Sequence, residues 1–452
     1  MSVKPGERPR LFGTNGIRGR PNELLTPDFC LSIGKAAATR FGAPEIAIGR
    51  DTRRSGDFVL SSVAAGVLST GTNLIDLGIL PTPALQYYCK TRKIPGIVIT
   101  ASHNPPEFNG IKCIDSDGTE LSAREEEEIE KIHYSGNFRS VDWKLIGTFS
   151  KDDTAVTSYI EAIRQRVSGT ITGKSYRIAV DPACGAAYAS TPRLLSELGC
   201  RITSINCYPD GLFTSRNPEP RPENLGIHIS MMKEGDFDLG IAHDGDADRA
   251  AFVDENGDFV EGDRILTLLV KHLSRKGDVI VTPVSTSDSV DDVAGEIGAR
   301  VLRTRIGAPV VARSMIDNRA TLGGEENGGV IFGDHQYCRD GAMTAAYVLS
   351  IMSTTGKTLS SLLSEIKKYS IRKGSVHFTG DWNELSGHIE RSMPGSRIDR
   401  TDGLKIFGDG GWALIRKSGT EPIVRIYAHA ENERDCTAIF GKFRKIVEEF
   451  TS

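Results

Sequence analysis

Apolar and polar positions along the chain follow a strand, helix, strand pattern that occurs three times. In each copy a short apolar run leads to residues with helical spacing, then to a glycine and a second short run. The three copies cover residues 45–49, 55–69 and 73–77, then 176–180, 186–198 and 201–205, and finally 278–282, 287–297 and 300–304. The recurrence predicts three similar α/β units.

One more short apolar segment follows each return strand, at residues 96–99, 238–242 and 320–322, and each of these segments ends in a polar loop. Parallel α/β sheets present ligand-binding groups at the carboxyl ends of their strands. We therefore expect the three loops to face a common cleft, to which each unit contributes a different chemistry.

The pattern changes near residue 371. Residues 403–407, 411–415 and 423–427 are predicted to form adjacent strands, and a helix closes the chain. The apolar residues of that helix recur at helical spacing and are assigned to the core: Ile439, Phe443, Ile446, Val447 and Phe450. The predicted domains are α/β domains at residues 1–151, 152–255 and 256–370, and a smaller α+β domain at 371–452.

The bulk composition narrows the classes of function. A chain of 452 residues is longer than a single core usually organises. Its net charge of −4 gives no general basic field for nucleic acid, and no segment approaches the ~18 apolar residues of a membrane span. Eight cysteines without a Cys-x-x-Cys pair are typical of a reduced chain with neither a disulfide framework nor a zinc site. We expect a cytoplasmic protein with small-molecule partners, as a monomer or homodimer.

A serine stands just beyond the first of the extra segments, in the hexapeptide at residues 100–105. At a strand end Ser102 is placed to act as a nucleophile, although serine and asparagine also leave strands as ordinary turn formers. The basic stretch at residues 49–56 can line a cleft or begin a helix. We favour a structural role for most of it, with Ser55 as the helix N-cap.

Three aspartates alternate along the second loop. The carboxylates of Asp244, Asp246 and Asp248 can converge on one hard cation, for which Mg²⁺ is predicted. One alternative is an EF-hand calcium loop with Glu255 at its twelfth position, but Arg249 stands where that loop requires glycine and a strand precedes it. A solvated acidic turn is the other alternative.

Two further loops carry polar groups suited to a phosphosugar. Glu325 and Asn327 stand among four glycines, so that backbone can approach a ligand while a carboxylate and an amide hold hydroxyl groups. In the tail, residues 416–422 together with Arg425 offer two guanidinium groups, two hydroxyls and flexible amides, which are the donors that a phosphate needs. The structural alternatives are a glycine-rich turn and a hairpin turn with solvated arginines.

Together these loops resemble those of the α-D-phosphohexomutase superfamily, in the branch that contains phosphomannomutase/phosphoglucomutase and phosphoglucosamine mutase. The motifs that carry the resemblance are Gly13-Thr-Asn-Gly-Ile-Arg18-Gly19, Thr100-Ala-Ser102-His-Asn-Pro105 with Asn109-Gly-Ile-Lys112, Asp244-Gly-Asp-Ala-Asp-Arg249, Gly324-Glu325-Glu-Asn327-Gly328 and Arg416-Lys-Ser-Gly-Thr-Glu-Pro422. Their order and spacing cover nearly the whole chain.

The resemblance implies three similar mixed-sheet α/β domains and a C-terminal α+β domain like the TATA-binding protein, arranged around a central cleft. It implies an enzyme that interconverts hexose 1-phosphate and hexose 6-phosphate through phospho-Ser102, one Mg²⁺ and a bound hexose 1,6-bisphosphate. We expect a phosphomannomutase/phosphoglucomutase, with phosphoglucosamine mutase as the alternative. A sugar phosphatase and a non-catalytic sugar-phosphate binding protein are rivals from other classes.

The resemblance also implies roles for individual residues. By matching position, Lys112 is the predicted proton-transfer group and Arg249 a charge clamp, while Arg18 and His103 line the reacting centre. The predicted metal ligands are Ser102, Asp244, Asp246 and Asp248. The predicted substrate contacts are Glu325 and Asn327 for the sugar and Arg416, Ser418, Gly419, Thr420 and Arg425 for the phosphate that is not reacting.

Three positions depart from the pattern of many relatives. Serine is common at the position of Asn327, histidine at that of Gly329, and glutamate at that of His429. The preferred sugar and the group that takes the place of the histidine missing at Gly329 therefore stay open at the level of sequence.

Overall fold

The computed structural model describes residues 9–13, 15–408, 410–419 and 421–451. The strands are β1 (Ile17–Gly19), β2 (Glu45–Arg50), β3 (Asn73–Ile79), β4 (Gly96–Ile99), β5 (Asn109–Ile114), β6 (Phe149–Lys151), β7 (Arg177–Asp181), β8 (Arg201–Ser204), β9 (Leu239–His243), β10 (Ala250–Val253), β11 (Phe259–Val260), β12 (Val279–Pro283), β13 (Arg300–Thr304), β14 (Leu322–Gly324), β15 (Val330–Phe332), β16 (Gln336–Arg339), β17 (Ser370–His377), β18 (Arg397–Asp399), β19 (Leu404–Gly408), β20 (Gly411–Lys417) and β21 (Ile423–Ala430).

The α-helices are α1 (Pro27–Phe41), α2 (Gly56–Leu68), α3 (Thr82–Arg92), α4 (Ala123–Ser135), α5 (Ala155–Arg166), α6 (Thr191–Glu197), α7 (Gly226–Glu234), α8 (Gly262–Leu273), α9 (Ser289–Ile297), α10 (Ala308–Asn318), α11 (Gly341–Thr355), α12 (Leu359–Ser364), α13 (Trp382–Arg391) and α14 (Glu433–Thr451). Within the described residues, no helix is both long enough and apolar enough to span a bilayer.

Three of the four sheets share one strand arrangement, which confirms the predicted repeat. Their orders are β3-β2-β4-β5-β1, β8-β7-β9-β10-β11 and β13-β12-β14-β15-β16, and β6 adds a parallel edge strand beside β3. In each order the first three strands pair in parallel, and the two remaining pairings, of the third strand with the fourth and of the fourth with the fifth, are antiparallel. The sheets are therefore mixed.

The third strand of each repeat, β4, β9 or β14, leads into the polar loop that the sequence marks for chemistry. The antiparallel strand that follows returns the chain through the sheet. Before the second strand of each repeat the chain turns at Gly71, Gly199 or Gly298, with φ of 80°, 89° and 74°. These left-handed angles favour glycine, because a side chain would be strained there.

The helix predicted over residues 186–198 is wrong, because the structure has two separate segments there. In place of a helix over residues 186–198, the chain forms a 3-10 turn at Ala186–Ala189 and then the short helix α6. Pro192 lies in the first turn of α6, where its missing N–H is tolerated. The same proline cannot donate to a preceding helical turn, so the two segments stay separate.

The tail is an antiparallel sheet in the order β17-β21-β20-β19-β18, covered by α13 and α14, and is α+β as predicted. Phe443 and Val447 of α14 are buried, and Ile439, Ile446 and Phe450 pack against the same core. A second small core joins Val284 of the third unit to Trp412 of the tail. The apolar stripe of α14 is therefore core.

Candidate active site

Ser102 lies in a fixed, fully buried position beyond β4. Its φ of 53° is left-handed, and its N–H donates to the Thr100 Oγ1 at 2.9 Å. Its hydroxyl donates to the Asp244 Oδ2, also at 2.9 Å, across the boundary between the first and second sheets. The candidate nucleophile is thus in direct contact with the loop that carries the three aspartates, residues 244–248, which we call the metal loop after its predicted role.

Arg53 lies beneath the serine loop and fixes its backbone. The Arg53 Nη1 donates to the carbonyl oxygens of Pro105 and Phe108 at 2.7 and 2.9 Å. Its Nη2 donates to those of Ser102 and Asn104, both at 2.7 Å. One buried guanidinium therefore shapes the whole loop, a role that the sequence pattern predicts only as generally structural.

Asp51 completes this support. Its Oδ2 accepts from the Arg53 Nε at 3.0 Å and from the Thr100 hydroxyl at 2.6 Å. Burial raises the pKa of Asp51, and the adjacent Arg53 opposes that rise. Ser55 is the N-cap residue of α2 as predicted, but its hydroxyl accepts from the Asn109 Nδ2 at 2.9 Å and makes no capping hydrogen bond with an amide of the helix.

The three aspartates of the second loop converge as predicted. One carboxylate oxygen from each of Asp244, Asp246 and Asp248 lies within 4.8 Å of the others, and all three residues are buried. The Oδ1 atoms of Asp246 and Asp248 have no hydrogen-bond partner among the described residues. Buried, unpartnered carboxylate oxygens are costly unless a cation neutralises them, so this donor set fits a hard divalent ion.

The carboxylates differ in their electrostatics. Burial and the charges of Asp248 and Asp246 raise the pKa of Asp244 well above its usual value. Burial also acts to raise the pKa of Asp246, but the Lys112 ammonium and a hydrogen bond from Thr82 hold it below the usual value. The carboxylates of the cluster therefore repel one another, and a positive charge among them would stabilise their ionised forms.

Each of the three aspartates is held by a side chain from another sheet. Ser102 of the first unit contacts Asp244, and Asp246 accepts from the Thr82 hydroxyl at 2.7 Å and from the Lys112 Nζ at 3.1 Å, also of the first unit. Asp248 accepts from the Arg339 Nη2 of the third unit. The metal loop is thus the meeting point of three sheets.

The predicted catalytic cations surround this cluster. The Arg18 Nη1 donates to the Asn104 Oδ1 at 2.5 Å, and the Arg249 Nε lies 3.8 Å from Asp244 and 3.7 Å from Asp248. The His103 Nδ1 is 3.5 Å from the Ser102 Oγ.

Positive charge also sets the state of the imidazole. Arg249, burial and Arg18 together lower the pKa of His103 far below its usual range. The ring is therefore neutral at physiological pH.

The third loop brings Glu325 to the same region but fixes its carboxylate inside the protein. Glu325 Oε1 accepts from the Gly307 N–H at 3.1 Å, and Oε2 accepts from the Arg339 Nη1 at 2.9 Å. Asn327 is exposed, and its Oδ1 accepts from the Gly329 N–H at 3.1 Å. Asn327 is therefore the more accessible of the two predicted sugar contacts.

Arg339 is a site residue that the sequence does not mark. It ends β16 and is 5% exposed, with its guanidinium between Asp248 and Glu325. No motif surrounds it, and its partners lie far away along the chain. Only the fold reveals the contact.

The phosphate loop of the tail differs in character. Arg416 and Arg425 are direct cross-strand partners on β20 and β21, which places two like charges side by side. The Arg416 Nε lies 3.1 Å from the Asp402 Oδ2, and the Arg425 Nη2 donates to the Glu421 Oε2 at 2.8 Å. Two carboxylates of the same domain, Asp402 and Glu421, thus balance the positive charges of the two arginines.

The rest of the loop presents backbone and a hydroxyl. The Ser418 N–H donates to the Ile423 carbonyl at 2.9 Å, and its Oγ accepts from the Glu421 N–H at 3.3 Å. Gly419 is exposed with open space around its Cα. Thr420, also a predicted phosphate contact, lies outside the described residues.

Two adjacent amides connect this loop to the sugar loop. The Ile306 N–H donates to the Asp402 Oδ2 at 3.0 Å, and the next N–H, that of Gly307, donates to Glu325. Asp402 in turn pairs with Arg416. A chain of polar contacts therefore runs from the tail arginine to the edge of the metal loop.

A buried serine against three carboxylates, ringed by cations, with an anion-binding loop in a separate sheet, suits phosphoryl transfer. The four family models for phosphoglucomutase/phosphomannomutase match in succession: α/β/α domain I over residues 9–140, domain II over 157–257, domain III over 261–369 and the C-terminal domain over 379–446. The boundaries predicted from the sequence stay predictions.

Similar proteins agree over almost the full length. A "Phosphoglucomutase/phosphomannomutase" of Thermococcus kodakarensis is 44% identical, with 97% of this chain and 99% of the relative covered. A "Probable phosphoglucosamine mutase" of Methanopyrus kandleri is 40% identical over the same shares. Other relatives at 35–39% identity also carry phosphoglucosamine mutase names, one of them as "Phosphoglucosamine/phosphogalactosamine mutase".

A solved structure agrees as well. The phosphoglucomutase/phosphomannomutase family protein of Burkholderia thailandensis matches with a TM-score of 0.88 at 27% identity, over 97% of both chains. The fold and the relatives define an enzyme of the phosphomutase class. The chain belongs to the phosphoglucomutase/phosphomannomutase family within the α-D-phosphohexomutase superfamily.

Proposed function

We propose that this phosphohexomutase interconverts glucosamine 1-phosphate and glucosamine 6-phosphate through phospho-Ser102 and a bound glucosamine 1,6-bisphosphate. The names of most of the similar relatives support the amino sugar over the first interpretation from the sequence. Glucose and mannose phosphates are the second candidate, because the relative at 44% identity carries a phosphoglucomutase/phosphomannomutase name.

The observation that carries the phosphoserine proposal is the contact between the Ser102 Oγ and Asp244 at 2.9 Å. It places the hydroxyl at the edge of a three-carboxylate cluster, in a position with no solvent exposure. Exclusion of water matters because a phosphoserine open to solvent would be hydrolysed instead of passed to sugar.

Mg²⁺ is the cofactor that the cluster fits, with Ser102, Asp244, Asp246 and Asp248 as the ligands proposed. When bound, it would neutralise charge on the phosphoryl group during transfer. The protein supplies the rest of the positive field through Arg18 and Arg249, which lie beside the same loops.

In the proposed step, a sugar hydroxyl attacks phosphorus, the bond from phosphorus to the Ser102 Oγ breaks, and the departing Oγ gains a proton while the sugar hydroxyl loses one. Lys112 is the proposed proton-transfer group, since its ammonium lies 3.1 Å from Asp246 inside the cluster: it would give a proton to the departing Ser102 Oγ and regain one from the sugar hydroxyl. Neutral His103, 3.5 Å from the Ser102 Oγ, helps to orient the reacting oxygen. Reversal on the other phosphate regenerates phospho-Ser102.

The bisphosphate must turn between the two transfers, so each phosphate visits both ends of the site. We propose that Arg416, Arg425, Ser418 and Gly419, with Thr420, hold whichever phosphate is not reacting. The side-by-side arginines support this, because two guanidinium groups on neighbouring strands can donate together to one phosphate dianion, and the exposed pair of Arg425 with Glu421 can open to admit it.

One assay tests the proposal against its rivals. The purified enzyme is supplied with Mg²⁺ and glucose 1,6-bisphosphate, then with the 1-phosphates of glucosamine, N-acetylglucosamine, glucose and mannose, and products are separated. We expect the 6-phosphates, with glucosamine 1-phosphate giving the highest kcat/KM. Release of free sugar would indicate a phosphatase, and binding without any product would indicate a sensor.

A matched variant tests the metal cluster in the same assay. Asp246→Asn should weaken Mg²⁺ binding and lower turnover by orders of magnitude, because one of three charges that balance the cation is lost. Full activity of the unmodified enzyme in excess chelator would contradict the metal assignment.

A further inference from the structure

Arg339 lies where the metal loop and the sugar loop meet. Its Nη1 donates to the Glu325 Oε2 at 2.9 Å, and its Nη2 donates to the Asp248 Oδ2. Both carboxylates are buried, at 3% and 2% exposure. One guanidinium therefore bridges two acidic side chains that belong to different sheets.

This bridge has a consequence for Asp248. Because the Oδ2 of Asp248 is committed to Arg339, its Oδ1 is the oxygen left without a hydrogen-bond partner among the described residues. A planar guanidinium with two donors in a fixed fork sets the orientation of a carboxylate more firmly than a single ammonium can. Arg339 thus sets which oxygen of Asp248 is available to a cation.

Gly329 provides the space for this arrangement. A Cβ at position 329 would lie 2.3 Å from the Arg339 Cδ and 3.0 Å from its Cγ. The stem of Arg339 therefore occupies the volume that any side chain at 329 would fill. Histidine, which the resemblance leads one to expect at this position, is incompatible with the observed path of Arg339.

We propose that Arg339 is a positioning residue that couples the metal loop to the sugar loop, so that the state of Glu325 alters the affinity of the metal cluster. This inference rests on the proposed function, since it takes Asp248 as a metal ligand, and on the sequence prediction that Glu325 contacts the sugar. If sugar binding at Glu325 changes the affinity for the metal by some factor, metal binding must change the affinity for the sugar by that same factor.

The direction of the coupling follows from charge. Neutralising Glu325 leaves Asp248 as the carboxylate to which Arg339 donates among the described residues, and the guanidinium then competes more strongly with a cation for that carboxylate. Glu325→Gln should therefore weaken metal binding by about 5-fold, within the usual range of coupling between sites. Among the described hydrogen bonds, Glu325 reaches the aspartate cluster through Arg339, and this is the route that a variant at 339 interrupts.

A double-mutant cycle tests this without any measurement of activity. Mn²⁺ is titrated into the full-length protein and free Mn²⁺ is followed by electron paramagnetic resonance. The four proteins are the wild type, Glu325→Gln, Arg339→Lys and the double variant. We expect Glu325→Gln to shift the Mn²⁺ dissociation constant in the wild type, and to shift it by less than about 2-fold with Lys at 339.

A second variant keeps every charge and takes the place of Arg339→Lys in the cycle if that protein does not fold. Gly329→Ala should displace Arg339 and reduce the coupling, because the added Cβ meets the arginine stem. Gly295→Ala on α9, where a Cβ meets nothing within 4 Å, is the matched control and should leave the coupling unchanged.

The outcomes separate the two proposals. An equal effect of Glu325→Gln in both backgrounds, or no effect in the wild type although Mn²⁺ binds and the mutase is active, overturns the coupling alone. A wild type that binds no Mn²⁺ and isomerises no phosphosugar overturns the proposed function, and the coupling with it.

Discussion

The two ends at which this enzyme would hold phosphate are built in opposite ways. At the reacting end, Ser102 and the three aspartates are buried, and Arg53 fixes the serine loop through four carbonyl oxygens. At the tail, the Arg425 side chain is 40% exposed and pairs with Glu421, which is 54% exposed.

The difference separates two demands of the chemistry. Phosphoryl transfer needs groups that are already in place when charge develops, and a buried network provides that order. The other end must accept either phosphate of a turning intermediate, and exposed ion pairs exchange partners at little cost. Rigidity at one end and exchange at the other is therefore what a bisphosphate intermediate requires.

The strongest test of the rigid end is Ser102→Ala. We expect loss of nearly all isomerase activity, because the bond to phosphorus has no other oxygen to form on at that position. Thermal unfolding should stay close to that of the wild type, since one hydroxyl is removed. Intact-protein mass spectra after bisphosphate treatment should show a phosphorylated fraction in the wild type and none in the variant.

Removal of the support beneath the loop should have the next largest effect. Arg53→Met leaves Asp51 buried without its cation and should cost about 3–5 kcal/mol of stability, with a large fall in kcat. Thermal unfolding and steady-state kinetics measure both. The control is Arg54→Met at the exposed neighbouring arginine, and equal behaviour of the two variants would contradict the role given to Arg53.

Substitution of an arginine in the tail loop should have a smaller effect on activity, and a similar effect for every sugar. Arg425→Ala should lower kcat/KM by about 30-fold, equivalent to about 2 kcal/mol, for every phosphosugar tested. The ranking among sugars should not change, because the proposed role of this arginine is to bind phosphate and not the sugar hydroxyls. Arg444→Ala removes another exposed pair of the same spacing, Arg444 with Glu448, and should leave kinetics unaltered.

The attachment of the tail to the third unit should depend on pH. Burial and the nearby Arg303 lower the pKa of Lys405 to about 8, and its Nζ donates to the Val284 carbonyl at 2.9 Å. An unfolded lysine keeps a pKa of about 10.4, so between about pH 8 and about pH 10 the folded chain binds fewer protons.

Stability contributed by Lys405 should therefore rise with pH through that window. Relative to Lys405→Met, the wild type should gain up to about 1.4 kcal/mol per pH unit, followed by thermal unfolding. Lys442→Met, at an exposed lysine of α14, is the control. A constant difference across the window would show that Lys405 does not titrate there.

The smallest expected effect sharpens the comparison most directly. Glu421 pairs with Arg425, so Glu421→Gln should lower KM by about 2- to 5-fold, because a weak exposed ion pair no longer competes with the phosphate of the substrate. The kcat should change little. A raised KM would mean that Glu421 orients Arg425 for phosphate instead of competing with it.

Much of the fold could be predicted because it is encoded locally. The strand, helix, strand units follow apolar spacing, and the glycines behind each helix take the left-handed angles that such turns need. The helix expected over 186–198 failed because the spacing of apolar residues does not register the break that Pro192 enforces. Ser55 stands at the N-cap position of α2, but its hydroxyl makes no capping hydrogen bond and instead accepts from Asn109, which is distant in sequence.

The site shows the same limit. The sequence singles out the residues that carry a motif, but Arg53 and Arg339 act through partners that only folding brings near. Glu325 is predicted as a sugar contact, and the sequence gives no sign that Gly307 and Arg339 donate to its two carboxylate oxygens. A pattern along the chain records residue type and spacing, and it holds no information on which acceptors a buried guanidinium meets.

The dependence of the metal loop on its neighbours has a consequence for the inheritance of this fold. Asp244, Asp246 and Asp248 each rely on a side chain from outside their own sheet. A recombination event that exchanges the segment at 157–257 with that of a distant relative would carry the aspartates away from their donors. The first three domains are separate in topology, yet at this loop an exchanged domain must still match the side chains of the other two.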